Sequence, residues 1–326
     1  IDRAGMTARL FVNAFELGAA PEDVFVESLP MFHISAYLAY AYIFVGATVV
    51  MLPVFTPEDC LDVLAREQAT STVLVPTMIR MVMDSPAVAD FDASHLQLTI
   101  YGGESIEPGL LRRAMEQLGC GFHQQYGMTE TGAQTILRPA DHDPANIEAL
   151  SSAGSDAISF EVRIVDGDDR QLPDGEIGEI VCRGPAVMSG YWKRHDATAE
   201  TLRNGWMHTG DVGYRDGQRL LHIVDRRNDM VVSGGENVYP REVERELLGH
   251  PDVADATVIG LPDAKWGEAV TAVVVGEHPS DEDLAAYLRE RLAGYKVPRR
   301  WIRLDELPRN AGGKVLKGEL RRTLKT

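Results

Sequence analysis

Gln125-Tyr126-Gly127-Met128-Thr129-Glu130 places an aromatic ring, a hydroxyl and a carboxylate within six residues. A flat ring suits another flat apolar group, and a carboxylate suits a hard cation. The same residues also fit a core aromatic followed by an N-cap threonine and a first-turn acid. Other motifs flank this one in a definite order. Gly102-Gly103-Glu104 comes before it. Thr209-Gly210-Asp211, Asp225-Arg226 with Ser233-Gly234-Gly235-Glu236-Asn237, and Gly312-Gly313-Lys314 come after it. Arg226 carries a planar guanidinium fork, and Lys314, on glycines, can be swung against charge building on a phosphoryl group. Ser233–Asn237 looks like a phosphate cradle, but its spacing fits no nucleotide-loop fingerprint.

The elements that must position these residues follow from hydrophobic period. Residues 1–150 alternate strand-like runs (Val49–Leu52, Thr72–Val75, Leu98–Tyr101) with helix-like patterns at 7–18, 57–68, 77–84 and 107–118. Such alternation predicts a largely parallel sheet covered by helices, with ligands at the carboxyl ends of the strands. Gly102-Gly103 falls at such an end, where a backbone without side chains admits a close ligand. The uncharged stretch 34–55 is long enough to span a bilayer, yet Gly46 and Pro53 interrupt it. It reads as a buried helix, a glycine turn and a buried parallel strand, with no transmembrane segment. Residues 151–224 are short alternating runs punctuated by Asp-Gly pairs at 166–167, 174–175 and 216–217, which predict a β-rich subdomain. Residues 225–229 are the boundary, and 230–326 an α+β domain in which Pro240 opens a helix over Arg241–Leu248. Lys317 reads as an ordinary helix-surface charge.

In type and order these motifs resemble those of the adenylate-forming superfamily, and within it the fatty-acid and aryl-acid CoA ligases. The likeness implies an α/β fold with a β-rich subdomain and a mobile C-terminal domain. Tyr126 would stack on adenine, Gly127 would leave room for the nucleotide, and Gly102, Gly103 and Glu104 would line its site. Thr129 would bond the α-phosphate and Glu130 would hold Mg²⁺. Asp211 and Arg226 would bind the ribose, and Lys314 would be the adenylation lysine. Gly234 and Gly235 would line the pantetheine tunnel, Asn228 would be the hinge, and His33 in Pro30-Met31-Phe32-His33 would lie beside the acyl pocket. The family uses aspartate or lysine at the hinge; this chain has asparagine. The implied reaction consumes ATP and a carboxylic acid, fatty or aryl, to make an acyl-adenylate, and then transfers the acyl group to CoA. Alternatives are an adenylation module loading a carrier protein, or a nucleotide- or acyl-binding fragment without turnover.

The family's Ser/Thr/Gly-rich loop ending in Pro-Lys-Gly does not occur in these 326 residues. Ile1-Asp2-Arg3 resembles the sequence just past it, so the chain is expected to be the C-terminal majority of a longer enzyme. By itself it is expected to turn over ATP negligibly.

Composition bounds the remaining possibilities. With 44% apolar and 25% charged residues the chain can build a sizeable core. A formal charge of −17 repels nucleic acid and anionic lipid, and leaves any nucleotide pocket dependent on local cations or backbone amides. Cys60, Cys120 and Cys182 are odd in number and free of CxxC spacing, which predicts reduced, buried thiols in a cytoplasmic protein without zinc. A homodimer is compatible with the sequence.

Overall fold

The computed structural model describes residues 1–32, 35–276, 279–309 and 315–324. The chain divides into two compact units: Ile1–Thr209 with Tyr214–Ile223, and Gly210–Gly213 with Val224–Thr326. Strand and helix alternate in the first. α1 (Arg3–Leu17) leads to β1 (Val24–Glu27), α2 (Ala36–Val45) to β2 (Thr48–Met51), and α3 (Pro57–Arg66) to β3 (Ser71–Leu74). α4 (Pro76–Asp84) leads to β4 (Leu98–Gly102), and α5 (Pro108–Leu118) to β5 (Gly121–Met128). β6 (Gly132–Leu137) turns back antiparallel, and after α6 (Ile147–Leu150) the short β7 (Ser155–Asp156) pairs with it. The sheet order is β2-β1-β3-β4-β5-β6-β7, parallel from β2 through β5.

Helix ends follow local chemistry. The Asp2 carboxylate accepts from the Gly5 amide at 2.8 Å, and Gly18, at φ 62°, closes α1 in the left-handed conformation. Thr56 caps α3 and Pro57 occupies its first turn. The sheet buries both faces: Phe25, Val73 and Ile100 pack with α2, while Val26, Leu74, Tyr101 and Phe122 pack with α3, α4 and α5. Residues 34–55 contain the expected helix, turn and strand, with Gly46 at φ 92°. Full burial was not found: Tyr40, Ile43 and Phe44 of α2 and Met51 of the edge strand β2 are exposed. No helix among the described residues is long and apolar enough to cross a membrane. Cys60 and Cys182 are buried and Cys120 half-buried, all free. Burial pushes the Cys60 thiol up to about 11 and that of Cys182 to about 12, so both stay protonated.

Glu27 ends β1 with no exposed surface. Its Oε1 accepts from the Leu29 amide at 3.0 Å, but burial outweighs this bond and pushes its carboxyl up to about 7 from 4.5. The folded chain therefore holds this proton more tightly than the unfolded chain, and its stability falls as pH rises from 4.5 to 7. Against the always-neutral Glu27→Gln variant, the unaltered chain should lose about 2–3 kcal/mol between pH 5 and pH 8. Urea unfolding of both proteins at the two pH values measures this, and parallel pH dependences would refute it.

Beyond β7 come β8 (Glu161–Val165), β9 (Gly178–Arg183), α7 (His195–Thr201), β10 (Leu202–Arg203), β11 (Trp206–Arg215) and β12 (Leu221–Arg226). Their order is β10-β11-β9-β8, with β12 paired to β11. Asp216 makes the β11–β12 turn by accepting the Gln218 and Leu220 amides at 2.9 and 2.8 Å.

The second unit continues with β13 (Val231–Ser233), β14 (Glu236–Val238), α8 (Pro240–Leu248), β15 (Asp255–Asp263) and β16 (Gly267–Val275). α9 (Asp281–Arg289), β17 (Arg300–Arg303) and α10 (Lys317–Thr323) follow. Strands run β14-β13-β16-β15, with β17 parallel to β16. Val243, Leu247, Leu284 and Leu288 of the helices cover Val258, Val270 and Val274 of the sheet. Lys317 is not the free surface charge expected of it. It pairs with Glu244 at 2.8 Å and keeps only 15% of its side-chain exposure. The same carboxylate accepts from Thr257 and the Val258 amide, tying α10 and α8 to β15.

Candidate active site

The first unit brings two of the motifs to neighbouring strand ends. β4 and β5 pair in parallel with Gly102 opposite Gln125, so Gly102-Gly103-Glu104 and Tyr126–Glu130 leave the same edge of the sheet side by side. A Cβ on Gly102 would lie 2.3 Å from the Gln125 carbonyl oxygen, and Gly103 adopts φ 86°. Both positions thus demand glycine for backbone reasons alone. Glu104 accepts from the Thr77 hydroxyl at 2.8 Å and its amide at 3.3 Å, anchoring the start of α4.

Thr129 and Glu130 do not start a helix. They form the turn of the β5–β6 hairpin, with the Thr131 amide bonded to the Met128 carbonyl at 3.0 Å. The buried Thr131 hydroxyl donates to the Gly132 carbonyl at 2.8 Å and accepts from the Met128 amide at 3.2 Å. This leaves the Thr129 side chain exposed and the Glu130 carboxylate half-exposed. Gly127 sits at an irregularity in the ladder, and a Cβ there would meet the Gly132 oxygen at 1.8 Å. Tyr126 is half-buried against the core containing Phe160, Val162 and Met207.

The turn is also gripped from the segment after β9. The Met188 amide donates to the Glu130 carbonyl at 2.7 Å, and the Tyr191 phenol donates to Glu130 Oε1 at 2.9 Å. Partial burial and the adjacent Glu130 carboxylate raise the Tyr191 phenol above its ordinary range. Arg9 of α1 is 2% exposed; its Nε donates to the Ala186 carbonyl at 3.1 Å and its guanidinium lies 5.1 Å from the Tyr37 ring. Sequence reading picked out neither Arg9 nor Tyr191, since their meaning depends on neighbours far away in sequence, Ala186 for Arg9 and Glu130 for Tyr191. The oxygen donors of Thr129 and Glu130 match the preference of a hard divalent cation.

In the second unit Asp211 and Arg226 meet. Asp211 is buried, and Arg226 Nε lies 3.4 Å from its Oδ1. The preceding Gly210 turns at φ 72° and its carbonyl accepts from the Arg227 amide at 2.8 Å. Asp225, fully buried, accepts from the Arg226 amide at 2.7 Å and the Arg241 amide at 2.9 Å, so it caps α8. Burial raises its carboxyl pKa against the pull of the Arg241 amide. Asn228 is exposed in the turn leaving β12, beside Asp229, which Arg321 holds at 2.7 Å. Gly234 and Gly235 form the β13–β14 turn at φ 66° and 88°. The Gly234 amide donates to the Trp266 carbonyl at 2.8 Å, and a Cβ on Gly234 would strike the Trp266 ring at 2.7 Å. Arg299 and Lys265 lie 4.1 and 4.7 Å from that ring, a clamp not visible in the sequence pattern. His33, Gly312, Gly313 and Lys314 lie outside the described residues.

A largely parallel sheet whose glycine- and acid-bearing motifs gather at adjacent carboxyl ends is the layout of an α/β ligand-binding enzyme domain. The family model for AMP-binding enzymes matches residues 4–192, and that for the AMP-binding enzyme C-terminal domain matches residues 242–314. The chain belongs to the AMP-binding enzyme family. It is 41% identical over 304 residues to the fatty acid–[acyl-carrier-protein] ligase ScoC of Streptomyces coeruleorubidus, covering 92% of this chain and 58% of that protein. It is 41% identical over 312 residues to a feruloyl-CoA synthase of an Amycolatopsis species, covering 94% and 63%. The chain therefore spans less than two thirds of the length of these relatives. Among solved structures, it matches the o-succinylbenzoate CoA synthetase MenE of Bacillus subtilis with its acyl-adenylate at TM-score 0.86 and 36% identity, over 98% of this chain and 65% of that one. The amide bond synthetase McbA of Marinactinospora thermotolerans matches at TM-score 0.91 and 36% identity, over 99% and 66%.

Proposed function

We propose that this chain is part of an acyl-CoA ligase that activates a carboxylic acid as its acyl-adenylate and passes the acyl group to CoA. The observation that carries this reading is the gathering of Gly102–Glu104 and Tyr126–Glu130 at two adjacent parallel strand ends, in a chain of the AMP-binding family. In the first step the carboxylate attacks the α-phosphorus of ATP, an O–P bond forms, and pyrophosphate leaves. Tyr126 offers adenine a flat surface, Asp211 accepts from the ribose hydroxyls with Arg226 beside it, and Thr129 donates to the α-phosphate. Glu130 would hold Mg²⁺, whose charge offsets that of the phosphates. Lys314 stabilises the negative charge that builds on the transferring group. In the second step the C-terminal domain turns about Asn228, Gly234 and Gly235 line the pantetheine passage, and the CoA thiol attacks the acyl carbon, releasing AMP. The resemblance assigns His33 to the acyl pocket, and the neighbouring sequence Ile34-Ser35 brings no acid for a substrate ammonium, which favours a fatty or aryl acid. Free cysteines without CxxC spacing support a cytoplasmic setting, and a homodimer is compatible with it.

A second reading, in which the acceptor is a carrier-protein thiol, is favoured by the 41% identity to a fatty acid–[acyl-carrier-protein] ligase. Supplying holo-carrier protein in place of CoA separates the two.

The test is AMP binding by residues 1–326. Asp211→Ala should weaken it roughly 10- to 100-fold, the cost of losing charge-assisted hydrogen bonds. An AMP affinity indifferent to Asp211, measured by titration calorimetry, would refute the assignment of the ribose site.

A further inference from the structure

The Glu130 carboxylate is held by a residue that the reaction scheme does not use. Tyr191 lies 61 residues beyond it, in the segment between β9 and α7, and its phenol donates to Glu130 Oε1 at 2.9 Å. The backbone behind that phenol is pinned. The Tyr191 amide donates to the Thr198 hydroxyl of α7 at 2.9 Å. Gly190, at φ 141°, is packed so closely on Thr198 that a Cβ would come within 2.8 Å of Cγ2. The same segment bonds the Glu130 carbonyl through the Met188 amide, and its Ala186 carbonyl takes the buried Arg9 Nε. The segment thus fixes both the main chain and the carboxylate of Glu130 before any ligand arrives. A half-exposed glutamate on a hairpin turn otherwise samples several rotamers, and holding one lowers the entropy lost on binding a cation.

We propose that Tyr191 is a positioning residue for Glu130: its phenol occupies Oε1 and leaves the second carboxylate oxygen available to a divalent cation carried by the nucleotide. The proposal rests on the nucleotide reading of the Thr129–Glu130 turn. It adds a specific partner that sets the geometry of the cation-binding oxygen.

The experiment uses Tyr191→Phe, which removes one hydroxyl and keeps the ring, in the full natural protein. ATP affinity is measured by calorimetry at stepped magnesium concentrations. The magnesium concentration giving half of the affinity gain should rise roughly 3- to 10-fold, the range for an ordinary hydrogen bond at a half-exposed site. Affinity without magnesium should stay within about twofold. An unchanged magnesium dependence, or an equal loss with and without magnesium, would overturn the proposal. A ligand-free arm separates its failure from that of the nucleotide reading. In a double-mutant cycle followed by urea unfolding, the midpoint shift caused by Tyr191→Phe should largely vanish in the Glu130→Ala background. Additive shifts would mean that the phenol–carboxylate bond does not operate, and would also overturn the proposal. A protein that binds no ATP at any magnesium concentration would count against the nucleotide reading, and the cycle would still decide the contact.

Discussion

Lys314→Ala should slow acyl-adenylate formation roughly 100- to 1000-fold, the usual effect of removing one preorganised charge-stabilising group. Thioester formation from preformed acyl-adenylate should change far less. The asymmetry follows from where charge develops in each step. Adenylation builds negative charge on the phosphoryl oxygens as pyrophosphate departs, and an ammonium there lowers the barrier. Thiol attack builds its charge on the acyl oxygen, where the proposed role of Lys314 requires no ammonium. The measurement is pyrophosphate release against CoA-thioester formation from synthetic acyl-adenylate, both on the full natural protein. Equal losses in the two half-reactions would contradict an alternating lysine.

Gly127→Ala should be among the most damaging single-methyl additions in the chain. The new Cβ would lie 1.8 Å from the Gly132 carbonyl oxygen, and both groups are backbone of one hairpin, so no side chain can move aside. Relief requires opening the β5–β6 ladder beside its irregularity, at a cost of about 3 kcal/mol or more. The expected fall in Tm is about 6–12 °C. Gly167→Ala supplies the control, because no atom lies within 4 Å of its Cβ position. It should shift stability by less than about 0.5 kcal/mol. Equal shifts for the two variants in thermal unfolding would show that the hairpin tolerates the methyl. The prediction also bears on function: this glycine is required by the hairpin that carries Thr129 and Glu130, whether or not a nucleotide needs the space.

Much of the framework is legible in the residues themselves. The apolar runs Val49–Leu52, Thr72–Val75 and Leu98–Tyr101 mark β2, β3 and β4, and an Asp-Gly pair marks the β11–β12 turn. Pro240 marks the start of α8. These signals are local, because helix caps and turn geometry depend on a few consecutive residues. β5 is less visible: it carries His123, Gln124 and Gln125, and its burial comes from neighbours on both sides. β1 escapes notice for a related reason, being four residues long and ending in a buried glutamate.

By itself the sequence determined the family and the order of the motifs, since each is carried by residue types at short spacing. It also marked some helix ends, such as Gly18 after α1, whereas α1 itself starts at Arg3, four residues before the expected Thr7. Only the tertiary structure decided that Thr129 and Glu130 occupy a hairpin turn, because the partner strand that makes the turn comes after the motif. It alone placed Tyr191 on Glu130, Trp266 under Gly234 and Lys317 against Glu244, contacts that span 61, 32 and 73 residues. Pairings of that range depend on how strands and helices pack, and short sequence windows do not encode them.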